Sequence, residues 1–284
     1  MKTILVPTDF SAHAKVAVRY AIEIAKQGNF KIVFQHSTFV LPPPRTPYTS
    51  FLKRVYKQRE LTLKKLTRHI DTIYKELDIS RDKHRTKLIV KYDPSVADSI
   101  IETTRDQFID LVIMGTRGAS GMKKFFFGSN TSAVIENSEC PVLAIPHRHA
   151  FKKIQTIAYA SQDLKIEKKE LRKIIPLAQS FGATIEIFHI VNKLPPNRKL
   201  ENADINSHLT DLIHLLKYPK IKMHVDTERV DGDALEAIEA FTKRKKPDML
   251  VMLTHKRGFW GKLFDKSKTT ELVLRLKTPL LAIK

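Results

Sequence analysis

The chain repeats itself, and that repeat limits its folds more than any single motif does. Ile4–Asp9 (ILVPTD) matches Ile157–Gln162 (IAYASQ), and Lys31–His36 (KIVFQH) matches Thr184–His189 (TIEIFH), both at an offset of 153 residues. Further along the offset becomes 138. Asp110–Thr116 (DLVIMGT) matches Asp248–Thr254 (DMLVMLT), Lys124–Thr131 (KFFFGSNT) matches Lys262–Thr269 (KLFDKSKT), and Cys140–Ile145 (CPVLAI) matches Thr278–Ile283 (TPLLAI). Self-similarity with this long a period indicates two copies of one domain. The change of offset places about fifteen extra residues in the first copy, between its second and third strands. They are expected in the Pro-rich loop Val40–Pro47 and the helix after it.

Each copy alternates short apolar runs with helical stripes. In the first copy strands are expected near 2–7, 31–37, 86–91, 110–115 and 141–145. Ala14, Val18, Ala21, Ile22 and Ala25 recur at helical spacing. Thr49–Leu77 reads as a long charged helix with Phe51, Leu52, Val55, Leu63, Leu66 and Ile70 on one side, and Pro94 is expected to open another. In the second copy the stripes are Leu171, Ile174, Ile175 and Ala178, then Ala234, Leu235, Ile238 and Phe241. Such alternation implies parallel sheets covered by helices on both faces. The polar stretch His147–Lys153 separates domains expected at 1–147 and 153–284, a division that the 284-residue length accommodates.

Several classes are disfavoured. The chain has no charge-free apolar run long enough to span a bilayer, and the N-terminus lacks the apolar core and cleavage site of a signal peptide. The single cysteine, Cys140, fits a reducing cytoplasm and reads as a packing residue. The net charge of +20 divides evenly, +10 in residues 1–150 and +10 in 151–284, so it is a basic surface and not a basic tail. It favours acidic ligands, anionic lipid and nucleic acid non-specifically. No nucleic-acid-binding motif stands out, and neither specific nucleic acid nor membrane is expected as a partner.

One stretch carries chemistry. Gly115 and Gly118, then nine residues, then Gly128 and Ser129, join an apolar strand to the helical stretch Thr131–Asn137. Glycines between a parallel strand and a helix start let backbone N–H groups approach a phosphate, and a serine there can cap the helix or donate to an anion. No GxxxxGK[ST] loop occurs, no hydrolytic base is visible, and no Ser-His-Asp or Cys-His set can be assigned. No catalytic residue is therefore named, and at most weak ATP hydrolysis is expected. His36 and His189 read as structural hydrogen-bonding residues. The HxH of His147 and His149 has no further ligands at metal spacing, so no metal site is expected.

Together, ILVPTDFS at the start, the strand ending in His36, the G-x2-G-x9-G-S loop and Pro141–Pro146 (PVLAIP) resemble the universal stress protein family in tandem form. The resemblance covers nearly the whole chain. It implies two Rossmann-like, doubly wound five-stranded parallel sheets of order 3-2-1-4-5. The final strands would pair the halves as an internal pseudo-dimer, in a monomer or a homodimer. Ligands of such sheets sit beyond the strand C-termini at the switch point, which brings Asp9 towards Gly115.

In the ATP-binding branch of that family, the residue matching Asp9 contacts the nucleoside; Asp9 also suits a helix cap, and the roles are compatible. The position of Ser37 offers its backbone to adenine. Gly115, Gly118, Gly128 and Ser129 match the phosphate loop, and Thr131 matches a further hydroxyl. Asn130 replaces a residue that is commonly apolar. Arg117, Lys123 and Lys124 would screen phosphate charge or be plain surface cations. Mg²⁺ would come with the phosphates of ATP or another adenine nucleotide.

The second copy departs from this pattern. Gly115, Gly118 and Gly128 become Leu253, Lys256 and Lys266; Ser129 persists as Ser267, and Asp9 becomes Gln162 beside Asp163. Replacements that resist positive φ and fill space argue for one site per chain. The aromatics of the second loop, Phe259, Trp260 and Phe264, either pack on the domain partner or form a distinct anion or protein surface. The expected function is a cytoplasmic stress-response nucleotide binder with a sensor role and a protein partner not identifiable from sequence. The alternatives are an interaction protein without nucleotide and a slow ATPase.

Overall fold

A computed structural model describes residues 3–41, 44, 47–116, 128–147, 149–161, 167–190, 202–226, 234–254 and 278–284. The chain divides into two compact units, Met1–Phe151 and Lys152–Lys284.

In the first unit the order is β1 (Thr3–Pro7), α1 (Ala12–Gly28), β2 (Lys31–Thr38), α2 (Tyr48–Glu76), β3 (Thr86–Tyr92), α3 (Val96–Asp106), β4 (Leu111–Gly115), α4 (Ser129–Asn137) and β5 (Val142–Ile145). The strands lie side by side as β3-β2-β1-β4-β5. All four pairings are parallel, in registers such as Leu5↔Val33, Ile4↔Leu111, Phe34↔Leu88 and Ile113↔Leu143. Central strands are apolar along their length because helices cover both faces; Ile4, Leu5, Val6, Leu111, Val112 and Ile113 are fully buried.

Local chemistry sets the helix ends. The hydroxyl of Ser11 accepts from Ala14 N at 3.1 Å and caps α1, and Asn29 closes it in the left-handed conformation, φ 58°. The small residues Ala14, Ala17, Ala21 and Ala25 are buried where α1 packs against the sheet. Ser95, not Pro94, caps α3, accepting from Asp98 N at 3.2 Å; proline has no hydroxyl to cap with and sits one residue outside. The aspartates that mark the repeat also have a structural task. Asp110 Oδ2 accepts from Thr3 N at 2.9 Å and ties the start of β1 beside β4. Asp248 Oδ2 does the same in the second unit, with Gln155 N at 2.9 Å and Thr156 N at 3.0 Å.

The second unit contains β6 (Thr156–Ser161), α5 (Glu167–Phe181), β7 (Thr184–Ile190), α6 (Asn202–Leu216), β8 (Ile221–Asp226), α7 (Ala234–Lys245), β9 (Met249–Leu253) and β10 (Leu280–Ile283). Its strand order is β8-β7-β6-β9-β10, again parallel. The fold expected from sequence, two doubly wound sheets of order 3-2-1-4-5, is thus present in both units. The stripe of α5 is buried through Leu171, Ile174, Ile175 and Ala178, and Phe241 of α7 stacks on Phe188 of β7 at 4.2 Å. The long α2 differs from expectation. Leu66 and Ile70 are buried, but Leu63 is exposed and Phe51, Leu52 and Val55 are only partly covered.

Candidate functional site

The switch point of the first unit lies where β1 and β4, neighbours in the sheet, send their helices to opposite faces. In open α/β sheets ligands bind at such a point, where successive crossovers diverge. Three segments meet this edge: Thr8–Ser11 after β1, the end of β2, and Gly115–Thr116 with Gly128–Thr131 around β4 and α4.

The turn after β1 is held by its own polar groups. Thr8 N donates to Gln35 O at 2.8 Å, Phe10 N to Thr8 Oγ1 at 3.2 Å, and Ser11 N to Asp9 Oδ1 at 3.0 Å. The helix cap suggested for Asp9 belongs to Ser11 instead. Asp9 stands two residues further out, where it braces the turn and keeps an exposed carboxylate at the strand edge. Phe10 adopts φ 65°, a left-handed conformation that is uncommon outside glycine, asparagine and aspartate. Its ring is fixed by packing: His36 lies 4.4 Å away, His69 5.4 Å away edge-on, and Lys65 Nζ stands 4.3 Å over the face. His36 Nδ1 donates to Thr8 O at 2.7 Å, a structural use of the imidazole. Burial, together with the nearby Lys15 and Lys65, holds His69 below its ordinary pKa despite Glu76.

At the end of β2, Ser37 pairs in register with Lys91. Its hydroxyl sits 3.1 Å from Ser99 Oγ and accepts from Gln35 Nε2 at 2.9 Å. The side chain is thus engaged towards α3.

Around β4, Gly128 N donates to Thr116 O at 2.9 Å, and Thr116 N donates to Ile145 O at 3.0 Å. The Thr131 hydroxyl, buried, donates to Gly115 O at 3.0 Å. These bonds pin the start of α4 to the strand end. Gly128 is the N-cap of α4, with φ −55° and ψ 142°, and no side chain caps the helix. The serine cap considered for Ser129 is therefore not formed; Ser129 and Asn130 open the helix and are exposed. The first N–H groups of any helix lack intrahelical partners, so this end favours an anion. Neither Gly115 nor Gly128 has positive φ; among described residues Gly182 is the glycine that does. The positive-φ reason given for these two glycines is thus corrected, and space for a close approach is the reason that remains.

Gly118, Arg117, Lys123 and Lys124 lie outside the described residues, as do Gln162, Asp163, Lys256, Phe259, Trp260, Phe264, Lys266 and Ser267. Leu253 is described, at the end of β9, with its side chain where Gly115 has none.

Sequence reasoning missed three features. Ser11 as cap was signalled by a serine just before a helical stripe. The Phe10 conformation had no sequence signal. His13 Nδ1 and His147 Nδ1 approach to 2.7 Å, a contact across 134 residues that only the fold creates. Cys140 is a packing residue as expected: burial, with Asp110 adding to it, pushes its thiol up to about 12, and Sγ–H donates to Ile109 O at 3.3 Å. Among the described residues no three His, Cys, Asp or Glu side chains cluster in a way that could hold a metal ion.

The fold defines a tandem, doubly wound α/β protein of the Rossmann-like class. The model of the universal stress protein family matches residues 1–146 and again 154–284. The chain belongs to the universal stress protein family. Universal stress protein MJ0531 of Methanocaldococcus jannaschii is 28% identical over 148 residues, covering 51% of this chain and 81% of that protein. Universal stress protein MJ0577 of the same organism is 27% identical over 160 residues, covering 52% and 97%. A crystal structure of a universal stress protein from Archaeoglobus fulgidus is similar over 99% of this chain and 96% of its own. Its TM-score is 0.65 at 18% identity, a likeness of fold.

Proposed function

We propose that the first unit binds an adenine nucleotide, ATP foremost, and that the second unit does not. The observation that carries this is the geometry at β4 and α4. A helix start without a side-chain cap is pinned beside a strand end by Gly128 N to Thr116 O and by Thr131 Oγ1 to Gly115 O. Glycines at both joints leave the backbone bare, where a phosphate would take the N–H groups of Ser129 and Asn130. Asp9 at the neighbouring edge would take ribose hydroxyls, and the backbone of Ser37 the adenine. Gly118 would continue the phosphate loop. Mg²⁺, where present, would be held chiefly by the phosphates, because no carboxylate cluster forms among the described residues.

We read this edge as a place of binding. Occupancy would then be the signal, and the role that of a sensor in a stress response. The protein would act in the cytoplasm through a protein partner. Calorimetric titration of the purified protein with ATP tests the proposal, and a phosphate-release assay run beside it separates sensor from ATPase. Saturable binding with no release above the uncatalysed background is expected. No heat at millimolar ATP would leave an interaction protein without nucleotide, and steady release would make it a slow ATPase.

A further inference from the structure

The extra residues of the first copy have a definite place. α2 is 29 residues long, and its counterpart α6 is 15. Within α2 the buried residues begin at Thr62 and continue through Leu66, Ile70, Ile73 and Tyr74. The C-terminal half therefore packs on the unit, and the added N-terminal half, Tyr48 to Leu61, contains no buried residue. At 1.5 Å per residue that is roughly 20 Å of helix on which Phe51, Leu52 and Val55 are partly covered and the other residues are exposed.

Its sequence is nonetheless amphipathic. At 100° per residue Tyr48, Phe51, Leu52, Val55 and Tyr56 continue the stripe of Leu66 and Ile70, interrupted by Arg59, while Lys53, Lys57, Lys64 and Arg68 lie opposite. From Phe51 to Arg68 there are seven lysines and arginines and one acid, Glu60. Tyr48 is 72% and Tyr56 63% exposed, and just before the helix Phe39 is 51% and Leu41 74% exposed. Among the described residues, six of the eight large hydrophobics found exposed fall between Phe39 and Leu63, a concentration along this stretch of chain, although Leu61 lies on the cationic side of the helix.

We propose that the N-terminal half of α2, with Phe39 and Leu41, docks on an anionic lipid surface. Charge selects the occupant. The segment is strongly basic on a chain of net charge +20 and is drawn to an acidic plane. Nucleic acid would satisfy the lysines but leave the aromatics in water. A protein groove shaped for one helix face would take the tyrosines but not Phe39 and Leu41, which belong to the preceding loop. An anionic headgroup layer over an apolar layer takes both kinds of side chain. Tyrosine hydroxyls then stay at headgroup level and lysine stems reach outward. The expectation that a membrane is no partner rested on the lack of a spanning segment, and surface docking needs none.

Co-sedimentation of the full chain with vesicles tests this. Vesicles of equal parts phosphatidylserine and phosphatidylcholine should carry the protein down, and phosphatidylcholine alone should not. Raising salt should release it. Each cation near such a surface is worth about fivefold in partitioning, so Lys53→Glu with Lys57→Glu should weaken binding well over tenfold. Tyr48→Ser with Tyr56→Ser should weaken it at unchanged charge. All four side chains are exposed, and unchanged melting curves will show that the variants fold. Three results would overturn the proposal. One is no sedimentation with phosphatidylserine. Another is binding that the tyrosine pair leaves unchanged, the mark of a polycation that would hold duplex DNA equally well. The third is a dimer in sedimentation velocity that the tyrosine pair abolishes, which would give this face to a second copy.

Discussion

Replacing Gly128 by alanine separates two reasons for a glycine at the start of α4. If the glycine were there for a left-handed backbone, an added Cβ would cost about 1–2 kcal/mol in strain. Gly128 instead has φ −55° and ψ 142°, which any residue adopts. What alanine loses is a somewhat better N-cap, a difference of up to about 1 kcal/mol. For a chain of this size that lowers Tm by roughly 2–4 °C. If Gly128 is there so that a phosphate can approach the backbone, the methyl group stands in the ligand's path, and ATP affinity should fall at least about tenfold, or about 1.4 kcal/mol. Calorimetric titration with ATP, alongside thermal melts of both proteins, reads both quantities. An unchanged affinity would refute close approach as the reason, and a Tm loss of roughly 10 °C or more would show backbone strain that the φ value excludes.

Three further outcomes are expected. Ser11→Ala removes the cap of α1 and should destabilise by about 1 kcal/mol in denaturant titration, with Ser11→Gly costing only a few tenths. His69 is held below its ordinary 6.5, first by burial and then by Lys15 and Lys65, so protonation favours the unfolded chain. Stability should therefore fall as pH drops below about 6.5 and level off once His69 is charged in the folded state too. His224, lowered chiefly by burial, adds the same sign in the second unit, so His69→Gln should flatten the acid limb of Tm against pH only in part. Cys140, with its thiol pushed up to about 12, should resist iodoacetamide at pH 8 in the folded protein and react after denaturation.

The fold was largely legible because apolar strands buried on both faces and helical stripes leave strong patterns, and the repeat supplied each pattern twice. Ile4–Val6 and Leu111–Ile113 are uninterrupted apolar runs, and the structure makes them central strands. The long helix was legible in extent but not in burial. Phe51, Leu52 and Val55 have the periodicity of a core face, yet they are only partly covered. At the site, the residue types and spacing of the loop were visible, whereas the reasons for them were not. The cap fell to Ser11 because Asp9 was needed two residues earlier to brace the turn, and Phe10 took a conformation that its packing with His36, His69 and Lys65 supports. Cross-chain contacts such as His13 with His147 depend on the handedness and order of the crossovers, which spacing alone does not encode.

The central claim is an asymmetry: two copies of one fold, with one nucleotide site. Equilibrium dialysis of the intact chain against labelled ATP tests it most directly. Saturation at one ATP per chain, lost in Gly128→Lys while the protein still melts cooperatively, is the predicted result. Saturation at two per chain, or at one per chain unchanged by Gly128→Lys, would contradict it.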